Sequence, residues 1–245
     1  MKLIRTHLKK INKPFVKSIK SPDGDIIDCV PFHLQPAFDL PELKSRVLLN
    51  SPPEPLNGHS RTRMESSLKQ KWSSNGESCP RGTIPIRRTS EDEVLRSGSI
   101  SRFGKKSNTR SMKNSKEKGL HEYAIGYARG EYYGLNTTLN VWAPKVAPKG
   151  FSLSQIWLAA DDSTDDLNTI EAGWQVYPSL YGNDAPRLFI FWTSENYKNG
   201  CYNLICSGFV QTNNHVALGG AIQPISTYNG PQYDIKLLIW KIFQI

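Results

Sequence analysis

Apolar and polar residues alternate along 170–177. Ile170, Ala172, Trp174 and Val176 form one row, and Glu171, Gly173, Gln175 and Tyr177 the other. A period of two predicts a β-strand with two unlike faces. The polar row holds a carboxylate, an amide and a phenol, which read either as a solvated face or as the floor of a binding cleft. Similar short runs recur at 121–128, 138–142, 151–158, 187–193, 207–212, 216–223 and 233–240. Turn sequences such as Ala128-Arg129-Gly130 and Tyr228-Asn229-Gly230-Pro231 separate them. Many short strands with regular turns predict an all-β sandwich or barrel.

The first half of the chain is patterned differently. Residues 2–12 predict a short basic helix ending before Pro14. Residues 15–20 and 26–30 predict two strands joined through Ser21-Pro22-Asp23-Gly24-Asp25, where Pro fixes φ and Asp-Gly favours positive φ. Residues 31–78 hold six prolines and no sustained period, so an extended or disordered excursion is expected. Residues 79–88 read as extended. Thr89 or Ser90 before Glu91-Asp92-Glu93 predicts a capped helix over 89–96. In 97–119 seven cations (Arg102, Lys105, Lys106, Arg110, Lys113, Lys116, Lys118) face one acid, Glu117, and apolar residues nearly vanish. That composition predicts a flexible basic linker. The expected division is therefore 1–96, 97–119 and 120–245.

Composition narrows the chemistry. The net charge of +9 and pI near 9.3 suit acidic partners without choosing among them. The linker lacks interleaved aromatics, so specific nucleic-acid binding is not expected. No run of 18 apolar residues predicts a membrane span. The N-terminus lacks the apolar core of a secretory signal. Cys29, Cys79, Cys201 and Cys206 lack metal-site spacing, so neither a metal nor a cofactor is expected. Four cysteines allow three pairings; the local reading joins Cys201 to Cys206 and leaves Cys29 for Cys79. Asn136-Thr137-Thr138 is a glycosylation sequon and, with paired cysteines, hints at an oxidising setting. No phosphate loop, serine elbow or histidine helix occurs, which leaves carboxylate chemistry. Glu171 is the candidate, while Glu122, Glu131 and Glu195 fall at strand ends or turns. Acid–base work needs two groups, and the pattern alone supplies no partner for Glu171.

Several blocks carry a resemblance: Ser21-Pro22-Asp23-Gly24-Asp25-Ile26-Ile27-Asp28-Cys29-Val30, Gln35-Pro36-Ala37-Phe38, Cys79-Pro80-Arg81-Gly82-Thr83-Ile84-Pro85, His121-Glu122-Tyr123-Ala124, Ile170-Glu171-Ala172-Gly173-Trp174-Gln175-Val176 and Gly200-Cys201-Tyr202-Asn203. In this order they resemble the neprosin family of plant secreted glutamic peptidases. The resemblance implies an N-terminal activation peptide, a disordered basic linker and an antiparallel β-sandwich whose cleft holds two catalytic glutamates. It places the first at Glu171, with Gln175 and Tyr177 as cleft candidates, and makes peptides containing proline the substrates. It also implies Cys29–Cys79 and Cys201–Cys206 disulfides, extracellular localisation and a maturation cut within about 100–120, in the exposed charged stretch. The family's second catalytic glutamate lies beyond the segment that ends at Ile245. The expectation is an incomplete sandwich with one of two catalytic glutamates, inactive by itself. The alternative is a non-catalytic extracellular sandwich that binds acidic cell-wall polysaccharide.

Overall fold

The computed structural model describes residues 2–44, 68–106, 122–147, 149–160 and 167–241. The chain begins with α1 (Lys2–Ile11), whose Ile4, Leu8 and Ile11 recur at helical spacing and face the protein interior. The hairpin follows as β1 (Lys17–Lys20) and β2 (Ile26–Pro31). Its turn closes through Ser21 N donating to Asp25 O at 2.8 Å, with Gly24 at φ 90°. The excursion is more structured than its prolines suggest. Short 3-10 turns and α2 (Pro41–Lys44) come first. Then β3 (Lys69–Gln70) leads into a 3-10 turn that buries Trp72. Residues 45–67 lie outside the described residues.

β4 (Thr83–Arg87) joins β2 to complete a three-stranded antiparallel sheet, and the Cys29–Cys79 disulfide staples it. α3 (Glu91–Arg96) starts with a capping box: the Ser90 hydroxyl accepts from Glu93 N, and the Glu93 carboxylate accepts from Ser90 N. The segment expected to be a flexible linker is folded over 97–106, where Phe103 is 5% exposed. Residues 107–121 lie outside the described residues.

The second half is all-β and sandwich-like. β5 (Gly134–Asn140) pairs antiparallel with β11 (Asp234–Trp240). β6 (Ser152–Ala160), β7 (Asn168–Val176), β8 (Arg187–Ser194) and β9 (Asn199–Tyr202) form a four-stranded antiparallel sheet in that order. α4 (Pro178–Tyr181) joins β7 to β8. The two sheets meet over Val141, Trp174, Val176, Leu188, Ile222 and Ile235. At about 25 cal/mol per Å2 of apolar surface, this shared interior is the main force holding the layers together.

Three expected strands differ. Residues 122–128 are not strand, and Tyr123, Ile125 and Tyr127 are exposed. Alternation makes a strand only beside a neighbour, and no described strand pairs with this stretch. Residues 207–212 are irregular, and of 216–223 only β10 (Ile222–Gln223) is strand, paired with β3. Buried glutamines satisfy their backbone instead. Gln35 accepts from Gln211 N and donates to Gln211 O. Gln70 accepts from Ala217 N and donates to Ala217 O and Gly220 O. These side chains take the place of a ladder.

Candidate active site

β7 explains why one strand can serve two interiors. Ala172, Trp174 and Val176 point into the sandwich, while Glu171 and Gln175 point to the opposite face. Ile170 departs from the expected apolar row and is 52% exposed. The polar row is neither solvated nor open: Glu171 is 1% exposed and Gln175 is fully buried. What covers it is the N-terminal half. Ile4, Leu8 and Ile11 of α1, Val94 of α3, and Phe103 pack over Phe189, Phe191 and Tyr202 of the sheet.

Register sets the neighbours of Glu171. It lies opposite Trp157 on β6 and Phe191 on β8, and Phe191 lies opposite Tyr202 on β9. A carboxylate thus sits within a row of aromatic side chains. Gly173, the next residue on that face, allows β6 to come close. A Cβ there would lie 2.0 Å from Ser154 O.

The described partners of Glu171 are a lysine and a hydroxyl. Lys106 Nζ donates to one carboxylate oxygen, and Thr169 Oγ1 stands 3.5 Å from the other. The ammonium also lies 4.5 Å from the Phe191 ring centre and 5.6 Å from that of Tyr202. Burial lowers the Lys106 pKa, and Glu171 restores part of it. Burial raises the Tyr197 phenol to about 12 and lifts Tyr202 well above its ordinary value, with the Glu171 carboxylate adding to both. Both phenols therefore keep their protons as neutral donors.

The other sequence candidates occupy different places. Gln175 donates to the Tyr181 hydroxyl at 3.0 Å and lies opposite Arg187, four residue pairs along the ladder from Glu171. Tyr177 falls after the end of β7. It stands at the N-terminal cap of α4, and its ring meets Phe151 and Tyr202 at 5.6 and 6.5 Å. Both disulfides are formed, and Asn136 is exposed on β5. An open cleft of ≈ 770 Å3, lined by Asp23, Lys71, Asn183, Pro224 and Tyr233 among others, does not include Glu171. Among the described residues no group of three or more histidines, cysteines or carboxylates could hold a metal.

Sequence reasoning missed Lys106, Phe191, Tyr197 and Tyr202. Strand register would have put Phe191 beside Glu171, but a single sequence gives no register between strands. Lys106 carried no signal that set it apart from its six neighbouring cations.

Far along the same face a second ionic group joins the halves. Arg187 is fully buried; it donates to Asp25, to Gly219 O at 2.8 Å and to Asn183 Oδ1 at 3.2 Å. Arg87 also donates to Asp25 and pairs with Glu93. Burial opposes the Arg87 charge, but Glu93 and Asp25 outweigh it and raise the pKa. The Tyr181 ring lies near both guanidiniums, at 4.9 and 5.2 Å.

Two family models cover most of the chain: one described as Neprosin activation peptide matches residues 18–127, and one described as Neprosin matches 148–243. The family is extracellular, and the two disulfides fit that setting. Among the described residues no helix is long and apolar enough to cross a membrane. An activation-peptide half folded over the polar face of a sandwich sheet agrees with those matches, and the chain belongs to the neprosin family as a peptidase precursor.

Proposed function

We propose that the chain is the precursor of a glutamic endopeptidase in which Glu171 is one of two catalytic carboxylates, acting on peptides that contain proline. One observation carries this reading. Glu171 is a buried carboxylate within an aromatic row, and Val94, Phe103 and Lys106, which pack on that face, fall in the part of the chain that matches an activation peptide. Ionised Glu171 takes a proton from water, and the resulting hydroxide attacks the scissile carbonyl. The carbonyl oxygen then gathers negative charge, which the neutral phenols of Tyr197 and Tyr202 are suited to stabilise. The second carboxylate protonates the leaving nitrogen. General acid–base catalysis of this kind contributes about 10^2 to 10^4 in rate. The maturation cut is proposed between Lys106 and Glu122, after the last N-terminal residue seen to pack on the sheet.

The test is peptide hydrolysis by the full chain, cut within 107–121, across acid to neutral pH. Residues 1–245, with Glu171 alone, are expected to be inactive, and once the second carboxylate is supplied, cleavage of a proline-containing peptide is expected to fall about 100-fold or more in Glu171→Gln. Equal cleavage by Glu171→Gln overturns the reading. No cleavage even with the second carboxylate supplied, together with salt-sensitive retention on pectin, favours the non-catalytic polysaccharide-binding sandwich instead. The charge of +9 supports that second reading.

A further inference from the structure

We propose that Lys106 is an intramolecular inhibitor: its ammonium occupies a box formed by the Glu171 carboxylate and the ring faces of Phe191 and Tyr202, and this box binds a primary alkylammonium group. The inference rests on the reading of Glu171 as a catalytic carboxylate for its regulatory meaning, but not for the binding itself.

The box is built by register. Glu171, Phe191 and Tyr202 stand opposite one another on three adjacent strands, so one charge and two π faces converge. A carboxylate supplies the charge-assisted hydrogen bond, and the rings attract the cation through their faces. The two rings pack on each other at 4.8 Å between centres, Tyr202 also on Phe189 and Phe191 on Tyr197, so neighbours other than Lys106 hold the walls of the box. Thr169 stands against the carboxylate, and the phenols of Tyr197 and Tyr202 stay neutral beside it. The box therefore presents a single negative charge to an incoming cation.

The delivery of Lys106 is equally specific. Phe103 anchors the segment in the cluster over the sheet. Tyr202 N donates to Gly104 O at 2.8 Å, which fixes the segment alongside β9. Gly104 has φ 75°, and a Cβ there would stand 2.8 Å from Ile205 Cγ2, so this approach requires glycine. Two residues further on, the Lys106 side chain reaches over the rings to Glu171. Its neighbour Lys105 is exposed. The contact spans 65 residues of sequence, so it reports tertiary placement and not a local pairing. While the ammonium sits on Glu171, it fills the position that a water and a peptide carbonyl would need.

Two measurements on the full chain test this. A water-soluble carbodiimide, followed by mass spectrometry, is expected to recover an amide cross-link between Lys106 and Glu171. A carboxyl-directed epoxide, used at acid pH, is expected to alkylate Glu171 at least about tenfold faster in Lys106→Met than in the unaltered protein, in keeping with the loss of one charge-assisted, ring-faced contact. Added n-butylammonium should restore protection in that variant, and n-butanol should not. Absence of the cross-link, equal alkylation of the two proteins, or equal protection by butanol overturns the proposal. If Lys106→Met does not fold, the cross-link in the unaltered chain decides. None of these readouts depends on hydrolysis. Failure here leaves the peptidase reading standing, and an inactive chain with a protected Glu171 leaves the box standing.

Discussion

At one end of the sheet face, Arg187 meets Asp25, Asn183 and a backbone carbonyl, with Arg87 and Glu93 adding a second tier. Near the other end, Glu171 meets Lys106 and little else that is charged. Both groups tie the N-terminal half to the four-stranded sheet. The first is built on the fully buried Arg187 and shares its charges among several partners. The second has a lysine that is 23% exposed at its side chain and is held by one ionic contact. A shared network resists loss of any member, because each loss leaves a buried charge unpaired. A single contact at a rim can be exchanged, because water replaces the departing lysine. The two halves are thus joined firmly away from Glu171 and exchangeably on it.

The largest expected effect breaks the firm end. Asp25→Ala removes the acceptor shared by Arg187 and Arg87 and should cost about 3–5 kcal/mol in denaturant unfolding. A loss below about 1 kcal/mol would mean that the two ends do not differ. Next come the disulfides. Cys29 and Cys79 are 50 residues apart, and Cys201 and Cys206 only 5. Loop-closure entropy then predicts that replacing the first pair with serine costs about 4 kcal/mol and replacing the second about 2 kcal/mol. Equal losses would show that chain entropy is not what separates them. Lys106→Met keeps the apolar stem but leaves the 1% exposed Glu171 carboxylate without its ammonium, and should cost about 2 kcal/mol in the same assay. A cost matching Asp25→Ala would erase the contrast.

The smallest effect concerns the phenols. The Tyr197 pKa is raised to about 12 from an ordinary 10, so its folded state holds the proton more tightly. The stability this provides is complete below about pH 10 and is lost as pH rises toward 12. Tyr202 moves in the same direction. Tyr181 is also raised by burial, but Asn203, Gln175, Arg187 and Arg87 pull against it. Tyr197→Phe should flatten the alkaline fall in stability, followed by phenolate absorbance during unfolding. An unchanged slope would assign the fall to other groups.

Much of the fold was legible because local rules sufficed. The Pro-Asp-Gly turn, the capping box at Ser90 and Glu93, and the alternation in β7 each depend on residues a few positions apart. Other features depend on partners far away in sequence. Asp23 and Asp25 read as turn formers, and they are, but Asp25 also meets Arg187 across 162 residues. Gln35 and Gln70 read as polar members of an irregular excursion, yet they satisfy backbone groups 176 and 147 residues away. Glu171 was legible as one member of a polar row. That this row would be buried under α1, α3 and Phe103 was not, because a strand's pattern shows which faces differ and not what covers them.

The pairing of β3 with β10 and the glutamine contacts at Gln35 and Gln70 have a consequence for any chain cut between 106 and 122. Such a cut removes the tether but none of these bonds, so the two pieces remain a complex. Their separation then becomes a matter of mass action. Before the cut, the N-terminal piece is present at the fixed local concentration set by its own chain. Afterwards it competes by its bulk concentration, so dilution promotes escape and crowding favours recapture. A nicked sample should therefore change its state with protein concentration, whereas the intact chain should not.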